Sequence, residues 1–352
     1  MEVWGTLLPR VTAAAAVLME ARSGKVLYMK NGHLRRPPAS TTKMMTGILA
    51  IEQGDLKEWV TISQKAARVG EASIHLTAGE KLRLEDLVKG ALIRSGNDAA
   101  AAVAEHVGGS EEFFIYLMNK KARLLGAGNT LFQNPHGLPA QNHYASAYDL
   151  GLIARYALTN EVFASIVRTR ETTIRGSWSR YLRNTNRLLW RYPWANGVKT
   201  GTTDAAGKCL VASATREGLT LIAVVLKSHD RYRDAETLLE YGFQNFDYYA
   251  IAKGSVWGTV KVANGKPSRV TAVALWNDVF ILEKDRKKDL RFKVNIVSEV
   301  QAPLRKGENL GFLEVFKEEQ RIGRIPLGAG EESRKLGLIE RLRKLGEGLN
   351  DD

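Results

Sequence analysis

Cysteine is nearly absent from this chain: Cys209 is the only one in 352 residues, which excludes an intramolecular disulfide. That does not decide the compartment, because many exported bacterial proteins also do without disulfides. No run of about 18 uninterrupted apolar residues occurs, so no helix is expected to span a bilayer. The opening Met1-Glu2-Val3-Trp4-Gly5-Thr6-Leu7-Leu8-Pro9-Arg10 has neither a basic lead nor an apolar stretch, so no export signal is expected within it. Zinc-finger spacing, an RRM-like aromatic and glycine signature, a basic low-complexity tract and internal repeats are all missing, which sets nucleic-acid binding aside. The six histidines form no His-Glu-x-x-His pattern, so zinc is not expected, nor any other metal or cofactor. Acidic side chains are in deficit: 38 Asp+Glu against 51 Lys+Arg leave a formal charge of +13, which favours an anionic neighbour such as lipid headgroups or acidic wall polymer.

What is present is ordinary for a globular protein, with 44% apolar and 25% charged residues, and the length suits one large domain and one small one. Two apolar runs around Ala21-Arg22-Ser23-Gly24 predict a β-hairpin. Helical spacing follows over Thr42–Glu52, Leu82–Ile93, an Ala-rich Asp98–Val107, Asp149–Leu158 and Glu161–Val167. After Gly197 the pattern turns to period two over Lys208–Thr215 and Leu219–Leu226, then to a helix over Asp234–Phe246. Strands, helices, then strands and a helix predict an α+β domain over residues 14–247, after a lead of 13 residues, with a sheet drawn from both ends of the chain. Residues 248–327 read as a small all-β domain. Gly328-Ala329-Gly330 reads as a linker, and Ser333–Leu349 as a basic amphipathic helix with Leu338, Leu342, Leu345 and Leu349 on one face.

Ser40-Thr41-Thr42-Lys43 opens the first long helix, and residues three apart there share a face. Taken alone this is a common helix cap. Ser95-Gly96-Asn97 falls in the break between two helices, where Ser and Asn ordinarily form turns, and Lys199-Thr200-Gly201 starts a strand. In this order and setting, the three together are the motif set of penicillin-binding proteins and class A β-lactamases.

The surrounding Pro38-Ala39-Ser40-Thr41-Thr42-Lys43-Met44-Met45-Thr46, Asn134-Pro135-His136-Gly137-Leu138 and Gly197-Val198-Lys199-Thr200-Gly201-Thr202-Thr203 resemble the low-molecular-mass serine D-alanyl-D-alanine carboxypeptidases. The resemblance runs from about Ala14 to Phe246, and the β domain that follows resembles that family's C-terminal domain. It implies the penicillin-binding/β-lactamase-like fold, a Ser40 acyl-enzyme, peptidoglycan stem peptides ending in D-Ala-D-Ala as substrate, and β-lactam antibiotics as covalent inhibitors. It also implies action in the cell envelope, with the basic end contacting the membrane surface.

Lys43 is the nearest base for Ser40, and its pKa must fall through burial or a neighbouring cation, which Lys199 supplies. The resemblance places the oxyanion on the N–H groups of Ser40 and Thr202. Ser95 relays a proton to the departing D-alanine, and Asn97 holds Lys43 and the substrate backbone. Lys199, Thr200, Gly201, Thr202 and Arg233 are expected around the substrate's carboxylate; Arg233 reads equally well as a solvated arginine at a helix start. His136 reads as a loop-stabilising residue, and Cys209 as a small buried hydrophobe. Two features depart from the family: the missing export signal, and an arginine before the Lys-Thr-Gly strand that has no clear match in Asn184-Thr185-Asn186-Arg187-Leu188-Leu189-Trp190.

A class A β-lactamase needs a glutamate with asparagine four positions on, and none of Glu105, Glu111, Glu112, Glu161 and Glu171 has one. A DD-endopeptidase, or a non-catalytic penicillin sensor of the same fold, are the alternatives; loss of a motif residue would mark the sensor, and no motif residue is lost.

Overall fold

The computed structural model describes residues 8–284 and 287–340. The chain divides into two compact units, Met1–Asn245 and Phe246–Asp352. In the first, the elements that matter for the site are β1 (Ala15–Glu20), β2 (Val26–Lys30), α1 (Lys43–Gln53), α2 (Asn97–Gly108), α3 (Ala147–Ala157), β3 (Ala195–Thr203), β4 (Gly207–Arg216), β5 (Leu219–Ser228) and α4 (Arg231–Asn245). The five strands form one antiparallel sheet in the order β2-β1-β5-β4-β3, so both ends of this unit contribute to it.

The central strands are not half-buried as period two predicts: six consecutive residues, Cys209–Leu210–Val211–Ala212–Ser213–Ala214, are all buried in β4. Helices cover both faces of the sheet, which removes the solvated side that alternation serves. Gly151 of α3 lies against Met19 and Val224, whereas Gly242 of α4 lies against Leu18 and Leu221, whose side chains point to the other face. Beside this sheet, α2 buries Ala99–Ala102 and Ala104, and these small side chains let α1 pack close against it.

Several predicted elements change at their ends. The stretch expected as one helix over Leu82–Ile93 is a short strand, Lys81–Arg83, then a helix, Leu84–Lys89, that widens to a π-turn over Gly90–Arg94. A helix over Glu111–Leu124, capped by Ser110 on the Phe113 N–H at 3.1 Å, was not singled out by pattern.

Asp234 ties this unit's first residues to α4. Its buried carboxylate accepts from the Thr12 and Ala13 N–H groups at 2.9 and 2.8 Å, and from the hydroxyls of Thr12 and Ser228 at 2.8 and 2.6 Å. The start of α4, which reaches the active site, is fixed in this way.

The second unit has a six-stranded sheet in the order Leu290–Ile296, Asn309–Lys317, Gln320–Ala329, Arg269–Ala274, Val256–Ala263, Glu299–Gln301. Its core is Val260, Val262, Leu313, Val315, Ile325 and Leu327 with their neighbours. The expected linker is corrected here: Gly328 and Ala329 close a strand that pairs with Asn309 and Ala272. The tail helix is corrected as well. Ser333 is buried and donates to the Pro267 carbonyl at 2.6 Å, Arg334–Lys335 pair as a strand with Gly265–Lys266, and helix begins only at Leu338. From residue 341 the predicted amphipathic segment lies outside the described residues.

Candidate active site

Ser40 sits in a single 3₁₀ turn, Ala39–Thr42, that runs straight into α1. Lys43, one turn on, points the same way and is fully buried. Its Nζ lies 3.0 Å from Ser40 Oγ, and donates to Asn97 Oδ1 at 2.6 Å and to the His136 carbonyl at 2.7 Å. Burial pushes the Lys43 pKa well below the usual lysine value and the charge of Lys199 adds to the fall, while Asp98 and Glu71 oppose it. Asn97 is held at both ends, since its Nδ2 donates to the Gly70 carbonyl at 2.8 Å.

The loop that supplies the His136 carbonyl is itself locked. Gln133 N–H donates to His143 Nδ1 at 3.0 Å, which leaves Nε2–H to donate to Thr42 Oγ1 at 2.9 Å. Asn134 accepts from Gly137 N–H at 2.6 Å, and the Leu138 N–H reaches His136 Nδ1 at 3.3 Å. The His136 imidazole is brought down to about 3 by burial and by Lys43, so it is neutral near pH 7. It acts through its backbone.

Across the groove, Lys199 of β3 is also buried, donating to Ser95 Oγ at 2.9 Å and to the Thr200 carbonyl at 3.1 Å. Burial, then the charge of Arg231, lowers its pKa to about 7. Among the described residues no carboxylate pairs with it. A buried ammonium without a counter-ion is costly, and an arriving anion removes that cost. Ser95 follows the π-turn at φ 69°, and Ala39 precedes Ser40 at φ 48°. Both hydroxyls are therefore presented beside left-handed backbone, a strained arrangement characteristic of functional sites.

The edge strand β3 closes against the Ser40 turn at Gly201, where a Cβ would come 2.9 Å from the Ser40 nitrogen. Thr200 Oγ1 is 2.7 Å from Thr185 Oγ1, and Thr202 Oγ1 accepts from Arg231 Nη1 at 2.8 Å. Arg231 also donates to the Gly201 carbonyl at 2.9 Å. Thus Ser40, Lys43, Ser95, Asn97, Lys199, Thr200, Gly201 and Thr202 converge on one groove.

Arg233 does not. It is exposed at the start of α4, and its N–H caps onto Asp230 at 3.2 Å; two residues along a helix turn a side chain by about 200°, away from β3. Arg231 takes the expected place. The choice between them lies in the phase of α4, which begins three residues before the predicted start. Thr185 was also missed as a site residue, although it lies in the segment without the family's arginine. Cys209 is buried as expected, and burial pushes its thiol up.

A serine hydroxyl facing a desolvated amine, beside a buried cation that awaits an anion, defines a serine acyl-transfer enzyme for substrates ending in a carboxylate. Residues 4–230 match the D-alanyl-D-alanine carboxypeptidase family, and residues 247–335 match the C-terminal domain of penicillin-binding protein 5. The D-alanyl-D-alanine carboxypeptidase DacF of Bacillus subtilis is 38% identical over 349 residues, covering 94% of this chain and 88% of that protein. Penicillin binding protein 5 from Haemophilus influenzae superposes with a TM-score of 0.78 at 31% identity, over 94% of this chain and all of that one. The DD-transpeptidase of Streptomyces K15 gives 0.65 at 34% identity, over 67% of this chain and 99% of that one. The chain belongs to the D-alanyl-D-alanine carboxypeptidase family, and it is a serine-type carboxypeptidase with the fold of the penicillin-binding proteins.

Proposed function

We propose that Ser40 forms the acyl-enzyme by which this protein removes the terminal D-alanine from peptidoglycan stem pentapeptides. The observation that carries this reading is the setting of Lys43. In its neutral form, the amine has two N–H bonds, which suit the Asn97 and His136 acceptors, and one lone pair left for the Ser40 proton at 3.0 Å. Lys43 is the general base, and Asn97 a positioning residue that aims it.

Ser40 Oγ attacks the carbonyl of the penultimate D-alanine as its proton passes to Lys43. The oxyanion is held by the N–H groups of Ser40 and Thr202. Ser95, hydrogen-bonded to Lys199, gives its proton to the D-alanine nitrogen as the C–N bond breaks and takes in its place the one held by Lys43, which returns that amine to its neutral form. Water then adds to the ester with Lys43 again as base, freeing Ser40. The leaving residue's carboxylate is bound by Lys199, Arg231 and the hydroxyls of Thr200 and Thr202. β-Lactams present a strained amide beside a carboxylate and acylate the same serine.

This action takes place outside the cytoplasmic membrane, a reading supported by relatives that are D-alanyl-D-alanine carboxypeptidases. The basic end of the chain rests on that membrane's outer face, where helix opens with Leu338 and Ile339 exposed at 76% and 71%. Peptide mapping of the intact protein after exposure to a fluorescent penicillin tests the central claim. The adduct is expected on Ser40; an adduct elsewhere, or none on folded protein, overturns it.

A further inference from the structure

A cavity of about 610 Å³ opens where the chain turns from β3 into β4, lined chiefly by Thr12, Arg36, Lys208, Lys227, Ser228 and His229. No acidic residue lines it, and among the described residues Arg36, Lys208 and Lys227 form no ion pair. None of these three takes part in the chemistry at Ser40.

The three cations come from three segments of the chain, and each is held by its backbone. Arg36 precedes the Ser40 turn; its N–H donates to the Ala145 carbonyl at 3.0 Å, and its carbonyl accepts from the Ala145 N–H at 2.9 Å. Its Nε is buried with no hydrogen-bond partner, a costly state for a charged donor that an arriving acceptor relieves. Lys227 sits at φ 50° beside the point where the pairing of β4 with β5 slips, between Lys208 and Leu210. A bulge of this kind re-aims a side chain, and left-handed backbone at a residue other than glycine is characteristic of functional sites. Facing it, Gly207 has φ 67°, and a Cβ there would come 3.1 Å from Lys227 Cγ. Lys208 lies across from Ser228, and its Nζ donates to the His229 carbonyl at 3.0 Å, a neutral acceptor that leaves the charge uncompensated. The lining hydroxyls do not supply acceptors in its place: those of Thr12 and Ser228 both donate to the buried Asp234, at 2.8 and 2.6 Å.

Cationic donors without an acid select an anion, and three of them on three segments suit the tetrahedral oxygens of a phosphate better than a planar carboxylate. No Phe, Tyr or Trp lines the cavity to stack a base, and Ala14 is its only apolar side chain, too little to enter a bilayer. Lys208 also lines the neighbouring groove of Arg94, Arg187 and Arg231, so the cationic lining runs on beyond a single phosphate. We propose that the cavity is an exosite for a phosphate group within a flexible, base-free phosphodiester chain, separate from the seat of the substrate's carboxylate. Binding there needs no acyl-enzyme, so the inference does not depend on the Ser40 reading.

The test titrates the full chain with a glycerol-phosphate oligomer by calorimetry, at about 0.15 M salt so that diffuse attraction is screened. An oligoglutamate and a single-stranded oligonucleotide of equal charge, and vesicles of phosphatidylglycerol, are run in parallel. The wild type is expected to bind the glycerol-phosphate oligomer about fivefold more tightly than the oligoglutamate or the oligonucleotide. Arg36→Glu with Lys227→Glu is expected to weaken that binding about tenfold or more, whereas Lys57→Glu with Lys120→Glu, two exposed lysines outside the lining, changes it less than about twofold. Arg36→Lys is expected to cost about threefold, because it keeps the charge and loses the Nε–H. Lys227→Glu alone, at an exposed side chain, is expected to cost about threefold and carries the test if the double variant fails to fold. Equal losses in the cavity and control variants, no preference over the oligoglutamate or the oligonucleotide, or binding to the vesicles alone overturns the inference.

Discussion

Lys43 and Lys199 are both buried amines, yet the proposed mechanism uses them in opposite protonation states. Lys43 serves as a base only when neutral, and Lys199 holds a carboxylate only when charged. Replacing Lys43 by Ala is expected to slow penicillin acylation by about 10²–10⁴-fold, measured by stopped-flow fluorescence. Lys199→Ala is expected to raise KM chiefly, with a smaller loss of kcat. Near-wild-type acylation by the Lys43 variant would assign the base elsewhere. The same two groups set the pH dependence. Activity rises as Lys43 loses its proton, and kcat/KM falls as pH passes about 7, where Lys199 of the free enzyme loses its charge. Bound substrate carboxylate holds Lys199 charged, so the alkaline limb of kcat is expected at higher pH than that of kcat/KM. For stability the sign is the reverse of a stabilising ion pair. Between about 7 and the ordinary lysine value of 10.5 the unfolded chain holds more protons at Lys199, so this residue's contribution rises with pH across that window. Urea unfolding of wild type and Lys199→Met over that window checks it; equal slopes would contradict the lowered pKa.

At the scale of elements, the nucleophile is held by a three-way meeting of the Ser40 turn, the His136 loop and β3. Gly137 has φ 93°, and a Cβ there would overlap the Ala39 carbonyl oxygen. Gly137→Ala is expected to cost roughly 3 kcal/mol of stability, from left-handed backbone and overlap together. Pushing the turn aside also displaces Ser40 from Lys43, for a loss in acylation of about 10²-fold. A variant with wild-type acylation and unfolding midpoint would show that the loop does not brace the turn. Much of this was legible in sequence at the level of element type: the hairpin, α1, the Ala-rich α2 and the helix of residues 234–246 all lie near their predicted places. Their ends were not legible, because a π-turn at Gly90–Arg94 and a 3₁₀ turn at Ala39–Thr42 answer to what packs against them rather than to local propensity.

At the scale of the whole molecule, the second unit ends differently from its pattern, and that changes how its tail must be tested. A cut after Gly330 would remove Ser333 and the Arg334–Lys335 strand, which belong to the β unit. A cut after Glu340 removes only the segment beyond it, and keeps the Arg334–Glu340 ion pair at 2.6 Å. In co-sedimentation with anionic vesicles, the full chain is expected to bind at least about fivefold more than this truncated form. Binding should weaken with salt, since each basic residue near the surface contributes about 1 kcal/mol and nearby acids offset part of it. Equal binding by both forms would leave the tail as a packing element. Among the described residues no single helix is long and apolar enough to cross a membrane.

The chemistry of the groove was determined by the sequence itself. Serine, lysine and asparagine types at Ser40, Lys43, Ser95, Asn97 and Lys199 are what acyl transfer requires, and Ser40, Lys43 and Asn97 sit at helix starts, where spacing along the chain dictates what is presented. Only the tertiary structure decided the rest. Lys43 is aimed by partners 54 and 93 positions away, Asn97 and the carbonyl of His136, and the carbonyl leaves no mark in residue type. Arg231 rather than Arg233 meets Thr202 because the phase of α4 is set by Asp234, anchored to Thr12 and Ala13 more than 200 residues earlier. Side-chain directions along a helix follow once one of its residues is fixed, and here long-range hydrogen bonds fix Asp234.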